Sequence, residues 1–510
     1  MNVLNKKFLL ENSPNWQEES SLENLLQLPE KVIQFGTGVL LRGLPDYIID
    51  QANKQGVFNG RIVVVKSTSH GNTDAFKAQD CLYTVCIRGI EGGKVIEKEV
   101  ICTSISRVLE ANQEWAQILA CAENPHISIV LSNTTEVGIQ LVQESIFAGV
   151  PDSFPGKLLA YLHHRFQFFK GTPESGMTII PTELISDNGK KLENILLELA
   201  HLNHLDTAFI DWLESNTVFC NSLVDRIVPG SPKGQMGEQL KEKLPYHDAL
   251  CITSEPYALW AIEGNDTVNE KLSFCRVNEG AFVTPSIEKS KELKLRLLNG
   301  THSLTCAIAH LSGFVTVKEA MVNSDFQTFT ENLLFEELIP ALPEYIREEE
   351  ANQFGRQVID RFKNPFIDHQ WLSIAQNYTQ KLEMRALPLL YQTYENRQEL
   401  PALFVYGLAA YIRFMKTTTT DTANYEGEMG NKTYPVQDRQ AVHWAHIWTS
   451  SIDLQEVIQK SLQYKDFWGG QDLSMLHGLV SLLTIYLEDI ERQLATQGKI
   501  DLKFMTERIN

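Results

Sequence analysis

The sequence predicts an α/β protein in two parts, a parallel sheet wrapped by helices and then a mainly helical domain. Over the first half, short apolar runs rich in β-branched residues alternate with segments of helical period. Strands that are apolar throughout belong to a sheet covered on both faces, and alternation with helices makes that sheet parallel. From about Glu288 strand-like runs become scarce and long amphipathic stretches follow one another, as in packed helices. This change of texture divides the chain into residues 1–285 and 286–510.

Taken in order, Lys31–Phe35 (KVIQF), Arg61–Lys66 (RIVVVK), Ile127–Leu131 (ISIVL) and Met177–Pro181 (MTIIP) are the buried strands. Leu44–Lys54 and Ala111–Glu123 are among the helices between them, and Val218–Leu223 and Ser273–Arg276 read as further strands. The later helical runs are Lys291–Leu311, Val317–Leu338, Trp371–Tyr394, Ala402–Lys416, Leu454–Leu462 and Met475–Gln497. Thr417–Asp438, polar and opening with consecutive threonines, reads as a loop or a lid rather than an element.

The 510 residues, 43% hydrophobic and 21% charged, supply more than one core. A net charge of −19 repels a duplex or an anionic bilayer, so neither nucleic acid nor a membrane is an expected partner. No run approaches the roughly 18 apolar residues of a membrane span. The N-terminus has too few apolar residues for a signal peptide, and a cytoplasmic protein is expected, monomeric or a small homo-oligomer. The eight cysteines form no CxxC pair and read as reduced, packed hydrophobes rather than metal ligands or a disulfide framework. The overall field also repels small anions, so an acidic substrate needs a local cluster of Lys and Arg.

The first strand runs into Gly36-Thr37-Gly38-Val39-Leu40-Leu41-Arg42-Gly43. A glycine pair between a buried strand and a helix lets the backbone turn sharply and approach a dinucleotide pyrophosphate, which predicts a Rossmann-type domain. The third glycine of the common fingerprint is replaced by Leu41. The second strand ends in Val65-Lys66-Ser67-Thr68, without the acid that usually holds the ribose of NAD. On the residues alone Lys66 suits the 2′-phosphate of NADP, and the cofactor stays open. The third strand leads into Ser132-Asn133-Thr134-Thr135-Glu136-Val137-Gly138, either a set of cofactor-facing hydroxyls or a helix start with capping side chains.

The sharpest constellation opens the helical domain, where Lys294, Asn299 and His302 stand in Lys294-Leu-Arg-Leu-Leu-Asn299-Gly300-Thr-His302. At about 100° per residue, Asn299 and His302 lie about 60° apart and Lys294 and His302 about 80° apart. Lys294 and Asn299 are then about 140° apart, so the lysine stem must curl round for all three to meet. A lysine partly removed from water trades a proton with a substrate oxygen near neutral pH, an amide steadies charge on that oxygen, and a histidine orients the substrate. The alternative is an amphipathic helix with a solvated lysine and a core histidine. Gly300 inside a helix points to a close approach by a ligand or another backbone.

The K-x5-N-x2-H pattern, the GxG-x3-R turn and the Thr134-Thr135-Glu136 strand exit resemble the long-chain mannitol dehydrogenase family. So do Glu183-Leu-Ile-Ser-Asp-Asn188-Gly189, Val224-Asp225-Arg226-Ile227-Val228-Pro229, and Arg361-Phe-Lys-Asn364-Pro365 with Lys381 downstream. The resemblance implies a zinc-independent, NAD(H)-dependent oxidoreductase with a Rossmann-type domain and a helical C-terminal domain. Ile33-Gln34-Phe35-Gly36, Leu82-Tyr83-Thr84 and Cys220-Asn221 look most like the branch that interconverts D-tagaturonate and D-altronate in galacturonate breakdown. Carried over, Lys294 is the acid/base lysine, Asn188 and Asn299 are the amides on the carbonyl oxygen, and His302 positions the substrate. Gly36, Thr37, Gly38, Arg42, Lys66, Thr134, Thr135 and Glu136 fall where the cofactor binds. Asp225, Lys381 and Arg361 fall on the substrate side, and Arg385 joins Arg361 and Lys381 as a candidate for holding a carboxylate. Two positions depart from the mannitol-type pattern. Ser373 replaces an arginine eight residues before Lys381, and Lys291 replaces a glutamate three residues before Lys294. The first speaks against a neutral polyol as substrate; the second adds a cation that suits a sugar acid, or is a solvated surface residue.

Overall fold

A computed structural model describes residues 2–12, 19–68, 73–134, 138–419 and 424–503. The chain forms two compact units, Met1–Arg88 with Val95–Glu288, and Gly89–Lys94 with Lys289–Asn510.

In the first unit, β1 (Glu30–Phe35) is followed by α1 (Val39–Gly43) and α2 (Pro45–Lys54), then by β2 (Arg61–Lys66). The hairpin strands β3 (Tyr83–Glu91) and β4 (Lys94–Cys102) precede β5 (Ile105–Glu110), α3 (Ala111–Cys121) and β6 (Ile129–Ser132). After α4 (Phe154–Phe169), β7 (Thr178–Pro181) and α5 (Asn188–Leu202) comes the short β8 (Val218–Phe219). Six of these strands make one sheet in the order β5-β2-β1-β6-β7-β8, parallel at every pair. Numbered within the sheet this is 3-2-1-4-5-6, the doubly wound order that binds ligands where the strand order reverses. That point lies between β1 and β6, where Phe35 pairs with Ser132 and the two strand exits run side by side.

The uninterrupted apolar runs follow from this architecture. Ile33, Phe35, Val63, Val65 and Val130 pack into one core, and Val32, Ile62, Val64, Ile129 and Leu131 into another. Successive residues alternate between two buried faces, so both faces are apolar, and the one polar residue among them, Gln34 of β1, is itself buried and bonds the Gly36 carbonyl and Asp46. Two smaller sheets use β9 (Ser222–Asp225), β10 (Ile252–Ser254), β11 (Leu259–Glu263) and β12 (Ala281–Thr284), in the orders β10-β3-β4 and β9-β11-β12. The expected strand at Ser273–Arg276 is instead a 3-10 turn over Ser273–Val277. Phe274 packs flat on Trp260 at 5.3 Å, so burial accounts for the apolar run without a strand.

The second unit begins with α6 (Glu288–Glu292), which continues into a π-helical segment, Leu293–Asn299, and then α7 (Gly300–Leu311). It goes on through α8 (Val317–Val322), α9 (Ser324–Asn332), α10 (Glu348–Phe362), α11 (Trp371–Ile374), α12 (Tyr378–Arg385), α13 (Leu387–Arg397) and α14 (Ala402–Phe414). Residues Leu403 to Phe414 are all buried, which makes α14 the central helix. A Cβ on Gly407 would lie 2.7 Å from the Leu304 carbonyl, so α7 and α14 cross with their backbones nearly touching.

Three expected elements differ. The run Val317–Leu338 breaks at Asn323, whose side chain accepts from Phe326 N at 2.9 Å and starts a new helix. Trp371–Tyr394 breaks at Asn377, which sits at φ 50°. Thr417–Asp438 is not a plain loop. β13 (Thr417–Thr419), β14 (Tyr425–Met429) and β15 (Lys432–Pro435) form an antiparallel sheet, to which the β-branched threonines contribute an edge. The chain continues through Leu454–Gln463 to a last long helix, Leu479–Gln497. Among the described residues no helix is long and apolar enough to cross a membrane.

Candidate active site

At the carboxyl ends of β1, β2 and β6 the first unit opens a cleft of about 650 Å³, lined by Gly36, Thr37, Gly38, Lys66, Asn133 and Thr134. Gly36 turns at φ +132°, and a Cβ there would sit 2.9 Å from Leu41 Cδ1 and 3.0 Å from the Asn133 carbonyl. Gly38 faces open space, and a Cβ there would meet no atom within 4 Å. The first glycine makes the turn, and the second leaves the backbone open to a close ligand. Lys66 lies at the strand end with its Nζ donating to the Thr68 carbonyl at 2.7 Å and 3.7 Å from Glu110 Oε2. Its charge is met from within the protein, by an acid that β5 brings alongside in register. Glu183, buried and held above the usual carboxylate range by desolvation, accepts from Ser132 Oγ at 3.1 Å, Thr134 N at 2.8 Å and Thr134 Oγ1 at 3.1 Å. It fixes the exit of β6 against β7. Thr135 and Glu136 lie outside the described residues.

Arg42 is not part of this lining. Its guanidinium donates to the Leu250 carbonyl and lies over the rings of Phe76 and Tyr83, at 5.7 and 5.6 Å. It is a strut between α1 and the small sheet. Asn188 is likewise committed to the fold. Its Nδ2 lies 3.0 to 3.1 Å from the carbonyls of Pro181, Glu183 and Ser222, and its Oδ1 accepts from Gly189 N and Ser222 N at 2.9 Å. Both ends of the amide are used in clamping β7 to β9, which leaves no donor for a substrate oxygen. Asp225 ends β9, in register with Leu259 of β11.

In the second unit, Lys294 and Asn299 belong to the π-helical segment. An i→i+5 ladder widens the turn, so residues five apart share a face rather than falling on nearly opposite sides. His302 follows in the first turn of α7, stacked on Phe362 at 4.0 Å and edge-on to His369 at 5.3 Å and Trp371 at 6.2 Å. Burial and then the nearby His369, Arg361, Arg385 and Lys381 push its pKa well below the ordinary imidazole value, so it is neutral. Lys381 and Arg385 share a face of α12, being four residues apart. Burial lowers the pKa of both, and their mutual repulsion lowers that of Lys381 further. Lys381 Nζ donates to the Ile374 carbonyl at 2.9 Å, and Arg385 Nη1 reaches Ser303 Oγ at 3.3 Å. Arg296 ties the π segment to this helix, bonding Glu292 at 2.9 Å and the Arg385 carbonyl at 3.3 Å. The arrangement gathers cations about a neutral histidine on the same stretch of helix as Lys294, and an anion seated there relieves their repulsion.

Comparison with known proteins agrees with both halves. Residues 30–276 match the mannitol dehydrogenase Rossmann domain, and residues 286–491 match the mannitol dehydrogenase C-terminal domain. The altronate oxidoreductase of Halalkalibacterium halodurans is 37% identical over 91% of this chain and 91% of its own. That of Escherichia coli is 36% identical over 91% of this chain and 95% of its own. The chain belongs to the mannitol dehydrogenase family. The family fold is also seen in two solved structures, each 20% identical. Substrate-free D-sorbitol dehydrogenase has a TM-score of 0.74, covering 94% of this chain and 96% of that one. Pseudomonas fluorescens mannitol 2-dehydrogenase, in a ternary complex with NAD and D-mannitol, has a TM-score of 0.65 and covers 99% of each chain.

Within this mannitol dehydrogenase family member, several residues of the two sites escape sequence reasoning. Lys157 lines the cleft from the first turns of α4, its Nζ 2.6 Å from the Asp152 carbonyl. The only sequence signal is the helix start at Ser153, whose hydroxyl accepts from Gly156 N at 2.9 Å. His369, just before α11, and Trp371, its first residue, reach His302 from a stretch that no spacing rule connects to it. Tyr378 is buried beneath α7, with its hydroxyl on the Ser303 carbonyl at 2.5 Å.

Proposed function

We propose that this protein catalyses the NAD(H)-dependent interconversion of D-tagaturonate and D-altronate, with Lys294 as the acid/base. The observation that carries the reading is the gathering of Arg361, Lys381 and Arg385 around the neutral His302. The carboxylate of a sugar acid takes charge-assisted hydrogen bonds from cations placed there, a contact that a substrate with only hydroxyl groups does not make. The likeness to altronate oxidoreductases supports the same substrate class.

The cleft fits a dinucleotide. Gly36 and Gly38 give a turn that a pyrophosphate can approach, and Thr37 and Thr134 add hydroxyls to its lining. With its cation matched by Glu110, Lys66 offers a 2′-phosphate little, which favours NAD over NADP. NADH, when bound, supplies the hydride that reduces the keto carbon. In reduction, the Lys294 ammonium gives a proton to the carbonyl oxygen as its π pair collapses onto it. The Asn299 amide donates to the same oxygen while charge builds, a contact worth most in the transition state. His302, held neutral, hydrogen-bonds a substrate hydroxyl, and the cations of α10 and α12 hold the carboxylate and fix the substrate's direction. In oxidation Lys294 accepts the proton.

Replacing Lys294 by Ala tests the assignment. Turnover of D-tagaturonate falls about 10²–10⁴-fold, the usual contribution of a general acid, while the Kd for NADH stays within a factor of a few. A variant with wild-type kcat contradicts it.

A further inference from the structure

The acid that usually ends the second strand of an NAD-binding sheet is missing from β2, yet an acid stands beside that strand end. β5 runs parallel to β2, and their register sets Glu110 opposite Lys66. Glu110 Oε2 lies 3.7 Å from Lys66 Nζ, and Glu110 Oε1 accepts from the Thr73 hydroxyl at 2.7 Å. The Glu110 N–H donates to Glu114 Oε2 at 2.9 Å, which fixes the turn from β5 into α3. The Thr73 bond first, and then the Lys66 and Lys77 ammonium groups, hold the Glu110 carboxyl below the usual carboxylate range, so it is ionised at neutral pH. Lys66, Ser67 and Thr68 line the dinucleotide cleft at this end. Lys66 is largely buried, and an ammonium so placed is costly to leave without an opposite charge.

We propose that Glu110 is the residue that excludes NADP, a specificity determinant supplied by the strand beside β2 rather than by β2 itself. The inference rests on the cleft being the dinucleotide site. Glu110 acts twice against a 2′-phosphate. It cancels the Lys66 charge that would attract one, and it sets a negative charge beside the position from which that phosphate would bond Lys66. Glu110→Gln reverses both effects and keeps the shape. The Thr73 hydroxyl then donates to the amide oxygen, and the Lys66 ammonium is left to make a charge-assisted bond to the 2′-phosphate.

NADH and NADPH differ only in the 2′-phosphate, and their binding to the full chain, followed by nucleotide fluorescence, involves no sugar substrate. The wild type is expected to bind NADH at least about tenfold more tightly than NADPH. Glu110→Gln tightens NADPH binding about tenfold and changes NADH binding by less than about threefold. A merely structural role for Glu110 would weaken both nucleotides together. Adding Lys66→Ala to Glu110→Gln abolishes the gain in NADPH affinity, because the lysine is the group set free. The proposal is overturned if Glu110→Gln binds NADH but gains nothing for NADPH, a result that leaves the dinucleotide cleft standing. A gain that survives the loss of Lys66 also overturns it. Failure of the wild type to bind NADH overturns the reading of the cleft, and this inference with it.

Discussion

The Tyr378 hydroxyl sits inside the backbone ladder of α7, donating to the Ser303 carbonyl at 2.5 Å and accepting from Ala307 N at 3.1 Å. Those two groups are four residues apart and would otherwise bond each other. A side chain inserted in this way bends or sets a helix, and here it does so one residue after His302. Tyr378→Phe removes both bonds and lets the ladder close. The expected result is a loss of roughly 1 kcal/mol of stability, together with a several-fold rise in KM for the keto acid and unchanged affinity for NADH. A purely structural role would lower the Tm and leave KM alone.

Arg385 distinguishes an acid-binding site from a polyol-binding one. A hydrogen bond to a charged group contributes about 1.5–3 kcal/mol, which is roughly 10- to 150-fold in kcat/KM. Arg385→Ala is expected to lower kcat/KM for D-tagaturonate by that order and to change any rate on D-fructose much less. Equal losses on both substrates would make Arg385 a general support for α7 through Ser303, not a carboxylate ligand.

A buried acid lies beneath the glycine turn. Asp46 of α2 is fully buried, and desolvation raises its pKa to about 8 despite the nearby Arg42 and the bond it accepts from Gln34 Nε2 at 3.2 Å. The same Gln34 amide reaches the Gly36 carbonyl at 3.3 Å. The folded state therefore keeps a proton that the unfolded chain releases near the ordinary carboxylate value of 3.8. Between those pH values the native state binds more protons than the unfolded one, so this group's contribution to stability declines as pH rises from about 4 to about 8. Asp46→Asn removes the titration, and its amide can also donate to Gln34 Oε1, which is buried and lacks a partner among the described residues. The variant is expected to gain roughly 1–3 kcal/mol at pH 8 and little at pH 4, read from denaturant midpoints at the two pH values. A loss of stability at pH 8 would show that the ionised carboxylate is needed.

Much of the fold is legible because burial on two faces writes an unmistakable pattern. Val63, Val64 and Val65 can all be apolar only in a sheet covered on both sides. Amide chemistry is less legible. Asn188 looks available in sequence, yet its partners are backbone groups of Pro181, Glu183 and Ser222, and only the fold reveals that they saturate it. Lys66 suggests a phosphate ligand until β5 brings Glu110 beside it. On α-helical angles Lys294 and Asn299 stand about 140° apart; the π-helical turn, a change of period that no residue in the segment announces, brings positions five apart towards one face. Gly300 faces the Arg385 carbonyl, which a Cβ would approach to 3.5 Å, so the close backbone approach expected there exists but does not demand glycine.

The central claim is that a uronate is the substrate and NADH the reductant. The most direct measurement is the rate of NADH oxidation by the purified protein with D-tagaturonate, with D-fructuronate, D-fructose and NADPH run in parallel. Turnover on D-tagaturonate with NADH, exceeding that on D-fructose by a hundredfold or so and largely lost with NADPH, is the predicted result. A preference for D-fructose, or equal rates with NADPH, would contradict the account of the cations around His302 or of Lys66 respectively.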